Sequence, residues 1–174
     1  MAPAVVLVGP PGAGKSTVGR LLADRWGVPF ADTDALIEER SGRVIADIFT
    51  TDGEPVFRAL EQETVAEALT THHGVLALGG GAVLAEATRE ALAGHAVVLL
   101  SVGLAAGVRR TGLSTARPLL AGVNPRATFA ALLAERLPVY RSVAAQEVAT
   151  DSLDPEAVAE AVHALVGAEV SSRG

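Results

Sequence analysis

Three observations predict an α/β fold in which a central, mostly parallel sheet of five strands lies between layers of helices. Short, unalternating apolar runs recur at residues 4–8, 75–78 and 96–100, the pattern of strands buried on both faces. Segments with helical spacing separate them, an alternation that right-handed crossovers convert into parallel pairing. The first run leads directly into Gly9-Pro10-Pro11-Gly12-Ala13-Gly14-Lys15-Ser16. That stretch fits the phosphate-cradling pattern G-x-x-x-x-G-K-[ST] at every constrained position, in the required order of strand, loop and helix.

Taken in order, the first strand and phosphate loop are followed by Val18, Leu21, Leu22 and Trp26, spaced as the apolar side of a helix. Glycines let the loop's N–H groups turn toward phosphates, and the helix N-terminus adds favourable partial charge. Lys15 is placed to neutralise β/γ oxygens, and Ser16 to offer a hydroxyl to Mg²⁺, a hard cation that takes few protein ligands. A second, short strand is read at residues 27–31, ending at Asp32-Thr33-Asp34. Two carboxylates thus leave the carboxyl end of a strand, the edge where open parallel sheets bind ligands. The plainer role for Asp32 is to cap a helix over residues 36–40.

Residues 41–69 read as a helical insertion: a short helix at 44–49, then another opened by Asp52-Gly53-Glu54-Pro55, with a cap, a turn and a proline at the first position. Phe57 and Leu60 take its core side, leaving Arg58 and Glu61 together on another face. A surface ion pair accounts for them equally well. The strand at 75–78 ends in Gly79-Gly80-Gly81, which either brings backbone close to a ligand or makes a tight turn into a helix at 86–93. After the strand at 96–100, a helix closes with Val108-Arg109-Arg110. Residues 111–123 have little periodicity and carry Arg117-Pro118 at their middle, the composition of a loop over a site. Asn124-Pro125 restarts a helix whose apolar side holds Phe129, Leu132, Leu133 and also Arg136, near an expected end before Pro138. A charge there either pairs internally or meets an anionic ligand. A last strand at 147–149 leads to a helix opened by Asp154-Pro155 and carrying Val158, Val162, Leu165 and Val166.

The 174 residues suit one domain, and 14 Lys+Arg against 20 Asp+Glu leave no basic field for a phosphate backbone, so no nucleic-acid partner is expected. With no cysteine, neither disulfides nor thiolate metal sites can form. His72-His73 reads as solvated loop. The N-terminus lacks a basic region before its apolar stretch, and the apolar stretch at 96–108 is interrupted and too short for a bilayer. A soluble, cytoplasmic protein without membrane contact is expected.

These blocks together resemble the shikimate kinases, small P-loop kinases shaped like nucleoside monophosphate kinases. The resemblance rests on the phosphate loop, Asp32-Thr33-Asp34, the spaced set Ile37-Glu38, Gly42, Ile45, Ile48-Phe49, Gly53-Glu54, Phe57-Arg58 and Glu61, then Gly79-Gly80-Gly81, Arg117-Pro118-Leu119-Leu120 and Arg136. It implies a three-layer P-loop NTPase fold and a single kinase domain over residues 1–174, with a substrate-binding insertion at 33–61 and a lid at 111–123. It implies a monomer that uses ATP and Mg²⁺ to phosphorylate the 3-hydroxyl of shikimate, giving shikimate 3-phosphate and ADP in aromatic amino-acid biosynthesis. By the same resemblance Gly12, Ala13, Gly14, Lys15, Ser16 and Thr17 hold the nucleotide's phosphates, Ser16 and Asp32 the metal, and Arg110 the adenine face. Asp34 contacts the 3-hydroxyl, Arg58 and Arg136 hold the carboxylate, Gly79, Gly80 and Gly81 line the ring, and Arg117 reaches the transferring phosphoryl. The stretch Thr150-Asp151-Ser152-Leu153 departs from members that place an arginine against adenine there. Kinases of other small acid alcohols such as gluconate, and a nucleotide-binding regulator without turnover, are the competing readings.

Overall fold

The computed structural model describes residues 2–111 and 125–172. Its sheet has five strands: β1 (Val5–Val8), β2 (Phe30–Asp32), β3 (Val75–Ala77), β4 (Val97–Ser101) and β5 (Gln146–Ala149). The order is β2-β3-β1-β4-β5 and every pair is parallel, with Val5 beside Val75, Val6 beside Val97 and Asp32 beside Ala77. Parallel neighbours need a crossover, and the helices supply it. They are α1 (Lys15–Trp26), α2 (Thr33–Ser41), α3 (Ile45–Thr51), α4 (Glu54–Thr71), α5 (Glu86–Leu92), α6 (Leu104–Thr111), α7 (Pro125–Val143) and α8 (Pro155–Ser172), with a 3-10 turn at Ala82–Leu84.

Val5–Val8 is buried throughout, because its alternate residues serve opposite layers. Val5 and Leu7 pack with Val18 and Leu22 of α1 and Val158 and Val162 of α8. Val6 and Val8 pack with Val65 and Leu69 of α4 and Leu92 of α5. A smaller cluster of Ile37, Ile48 and Phe57 ties α2, α3 and α4 together. α7 joins the two main layers: Phe129 and Leu132 belong to the first and Tyr140 to the second. Arg136 lies between them along the helix.

Several sequence expectations are corrected. α7 does not end before Pro138 but runs through it to Val143; the fully buried Tyr140 anchors the turn beyond, outweighing the lost backbone donor. β2 lies nearer Asp32 than expected, and α2 starts at Thr33. At the head of α4 the cap position is Gly53, with no side-chain cap hydrogen bond, so Asp52 does not cap it. Leu165 is exposed while Val166 is buried. The Asp154 cap is as expected, its Oδ1 accepting from Ala157 N at 2.8 Å. Among the described residues no helix is long and apolar enough to cross a membrane.

Candidate active site

β1 ends in the phosphate loop, and Gly14, the cap of α1, has φ of 85°. A side chain would be strained in that left-handed conformation, which aims the helix's first N–H groups into the loop's mouth. Ala13 is buried in the first core layer, while Thr17 is exposed. Lys15 Nζ donates to the carbonyls of Gly9 at 2.7 Å and Pro10 at 3.0 Å, so its charge sits over the loop. Ser16 Oγ donates to Asp32 Oδ2. Asp32 Oδ1 accepts from Asp34 N at 2.8 Å. Asp32 therefore caps α2, the plainer of its two sequence roles, and also faces the phosphate loop through Ser16.

Behind the loop, Arg110 Nη1 donates to Gly12 O at 3.0 Å and to Thr150 Oγ1 at 3.1 Å, and its Nη2 donates to Thr150 O at 3.2 Å. The arginine thus ties α6 to the phosphate loop and to the segment after β5.

The glycine run leaves β3, the strand next to β1. None of Gly79, Gly80 and Gly81 has a positive φ, so the run does not serve a turn that only glycine can make. It serves space. A Cβ on Gly79 would lie 2.5 Å from Asp34 Oδ1 and 3.1 Å from Glu61 Oε2. On Gly81 it would lie 2.5 to 2.7 Å from the Arg58 guanidinium, and on Gly80 it would lie 3.1 Å from Pro11 Cδ and 3.6 Å from Arg136 Nη1. One short backbone stretch therefore gathers Asp34, Arg58, Arg136 and the phosphate loop.

The charges in this pocket are set by burial. Arg58 Nη1 donates to Glu61 Oε1 at 2.7 Å, with side-chain exposures of 19% and 4%; the pair is inside the site and is not a surface ion pair. Burial pushes the Glu61 carboxyl above its ordinary range, opposed by the charge and hydrogen bond of Arg58. Arg136 is buried despite its charge, which requires polar surroundings; its charge opposes the upward push of burial on the Tyr140 phenol. Arg117 lies outside the described residues, as does almost all of the lid segment.

Such an arrangement can hold a polyphosphate at one end and an anionic alcohol at the other. The family model for shikimate kinase matches residues 11–166. The chain belongs to the shikimate kinase family. It is 63% identical over 169 residues to a shikimate kinase of Saccharopolyspora erythraea, covering 97% of each protein. It is 59% identical over 172 residues to that of Thermobifida fusca, covering 99% of this chain and 97% of the relative. Among solved structures, shikimate kinase from Acinetobacter baumannii in complex with shikimate superimposes with a TM-score of 0.92 at 37% identity, covering 97% of this chain and 95% of that one.

Three residues of this kinase site carry no role in the sequence reading. Glu61 was legible only as a partner of Arg58. Thr33, fully buried, accepts from Gly79 N through Oγ1 at 3.0 Å. Tyr140 donates to Gly80 O at 2.5 Å. The signals available were a carboxylate three residues from an arginine and a tyrosine four residues after another.

Proposed function

We propose that the protein transfers the γ-phosphoryl group of ATP to the 3-hydroxyl of shikimate, giving ADP and shikimate 3-phosphate in aromatic amino-acid biosynthesis. The observation that carries this reading is the position of Gly80, which lies against both Pro11 of the phosphate loop and Arg136. A carboxylate reader next to a polyphosphate cradle is what transfer to a small anionic alcohol needs, since catalysis of phosphoryl transfer is mainly positioning and charge stabilisation. The family relatives and the shikimate complex of one of them support the choice of acceptor.

In this reading the N–H groups of Gly12 to Thr17 and the Lys15 ammonium bind the phosphates. Arg110 borders the base, and Arg117 reaches the transferring group from the lid at residues 111–123. Asp34 accepts or orients the acceptor's hydroxyl proton, and Arg58 and Arg136 fork its carboxylate. Ser16 and Asp32 fit a magnesium ion, because a hydroxyl and a carboxylate oxygen, the donors a hard cation takes, already meet at the loop. When bound, the ion would neutralise charge on the β- and γ-phosphate oxygens. The same reading makes the chain a single, monomeric cytoplasmic kinase domain with residues 33–61 as its acceptor-binding insertion; sedimentation in the micromolar range tests the monomer.

ADP release measured with shikimate, with gluconate and without acceptor tests the assignment. Fast release with shikimate alone is expected. Preferential use of gluconate, or release at one low rate whatever is added, would overturn it in favour of another acid-alcohol kinase or a nucleotide-binding regulator.

A further inference from the structure

Tyr140 is fully buried and is the chain's one tyrosine. A phenylalanine would fill the same volume with no polar atom to satisfy, so the hydroxyl's presence calls for a reason. It holds one of the two parts of the acceptor pocket that must keep register and stands beside the other: it donates to Gly80 O at 2.5 Å, and the Arg136 guanidinium lies against the same glycine, its Nη1 3.6 Å from where a Gly80 Cβ would be. Arg136 and Tyr140 stand one turn apart on α7, on one face of the helix. The other end of the glycine run is held by Thr33 Oγ1, which accepts from Gly79 N. Consecutive glycines have little intrinsic rigidity, so these two hydroxyls fix a backbone that would otherwise wander.

We infer that Tyr140 is a positioning residue for the acceptor: its hydroxyl fixes the Gly80 backbone against which the Arg136 guanidinium packs, and so sets the direction in which that arginine presents its fork to the acceptor's carboxylate. Burial pushes the phenol up to about 12, against the pull of Arg136. It therefore keeps its proton, and its donation to Gly80, throughout the neutral range. The inference rests on the proposed function, because it takes the acceptor to be a carboxylate-bearing alcohol of the shikimate kind.

Tyr140→Phe keeps the ring and removes the hydrogen bond to Gly80. Steady-state kinetics should show KM for shikimate raised about tenfold, as for loss of a hydrogen bond that orients a charged group. Turnover and KM for ATP should stay within twofold of the wild-type protein. A shikimate analogue with a neutral amide in place of the carboxylate should lose most of its disadvantage in the variant. An unchanged KM in a folded variant would overturn the inference and leave the hydroxyl a satisfied core group. Should the variant fail to fold, the wild-type protein decides. With ¹³Cζ-labelled tyrosine, its single phenol resonance should shift saturably with shikimate and stay still with a non-hydrolysable ATP analogue, whereas no shift with shikimate would refute the role. Failure of the wild-type protein to phosphorylate shikimate would instead strike the proposed function, so the two failures are distinguishable.

Discussion

Two glycine-containing loops leave the carboxyl ends of neighbouring parallel strands, and they use glycine for opposite reasons. In the phosphate loop after β1, Gly9, Gly12 and Gly14 all have positive φ, and although a Cβ on Gly9 would also meet the Leu100 carbonyl, around Gly14, at the head of α1, there is open space for one. Here glycine permits a backbone shape. In the run after β3 the backbone is ordinary, and each glycine is instead crowded by Asp34, Pro11 or Arg58. There it permits neighbours. One loop takes a shape that turns its own N–H groups outward, as the proposed phosphate binding needs, while the other steps aside so that side chains from α2, α4 and α7 can converge.

The largest effect expected from breaking the first loop is that of Lys15→Ala. It removes the charge over the loop's mouth, where phosphoryl oxygens develop charge, and turnover should fall at least about a thousandfold. Wild-type ADP production by a folded variant would remove the loop from the active site. Asp34→Asn acts at the junction of the two loops, keeping shape while losing charge and proton acceptance. The chemical step should drop by about a hundredfold or more with ATP affinity retained by calorimetry. An unchanged rate would reduce Asp34 to a helix residue.

A matched pair of substitutions sharpens the contrast itself. Gly14→Ala introduces strain without a clash, and Gly79→Ala a clash without strain. The first should weaken ATP binding and leave the acceptor site intact. The second pushes the Asp34 carboxylate aside and should lower kcat/KM for shikimate about a hundredfold, the scale of an ångström-sized misplacement, with ATP affinity unchanged. If both variants lose ATP affinity equally, the division of labour is wrong.

The same contrast explains what was legible in the sequence. The phosphate loop is continuous, and its strand, turn and helix are each signalled locally, so its geometry could be read residue by residue. The pocket proposed for the acceptor draws on residues 34, 58, 61, 79–81, 136 and 140, and no local pattern states that they meet. Family resemblance gave roles to six of these eight positions, but the burial of the Arg58–Glu61 pair and the hydrogen bond from Tyr140 to Gly80 depend on tertiary packing. Pro138 misled for a related reason: its cost is local, whereas the anchoring of Leu137, Val139 and Tyr140 in the second core layer is not.

Next in size are lysine replacements of the two arginines. Lysine keeps the charge but loses the rigid fork, and charge-assisted hydrogen bonds contribute about 1.5–3 kcal/mol each. Arg58→Lys and Arg136→Lys should each lower kcat/KM for shikimate by about 10- to 150-fold. Wild type should discriminate strongly against the amide analogue and the variants much less. Equal discrimination by all three would make the arginines structural.

The smallest effect separates burial from pairing at Glu61. Burial raises this carboxyl above its ordinary value of 4.5 and Arg58 only partly opposes it. The folded chain therefore binds the proton more tightly than the unfolded chain does. Linkage then requires that the stability tied to this group be fully present below the unfolded value and be lost as pH rises through the folded one. Glu61→Gln abolishes that titration while keeping the shape. Melting temperatures of the two proteins, measured from neutral pH down to about the unfolded carboxyl value, should show the wild-type protein gaining on the variant as pH falls. The opposite slope would mean that the Arg58 ion pair outweighs desolvation, holding Glu61 low instead of high. In that case the acceptor pocket would keep a tightly ionised counter-charge, more like the phosphate loop's own fixed charges than the contrast between the two loops allows.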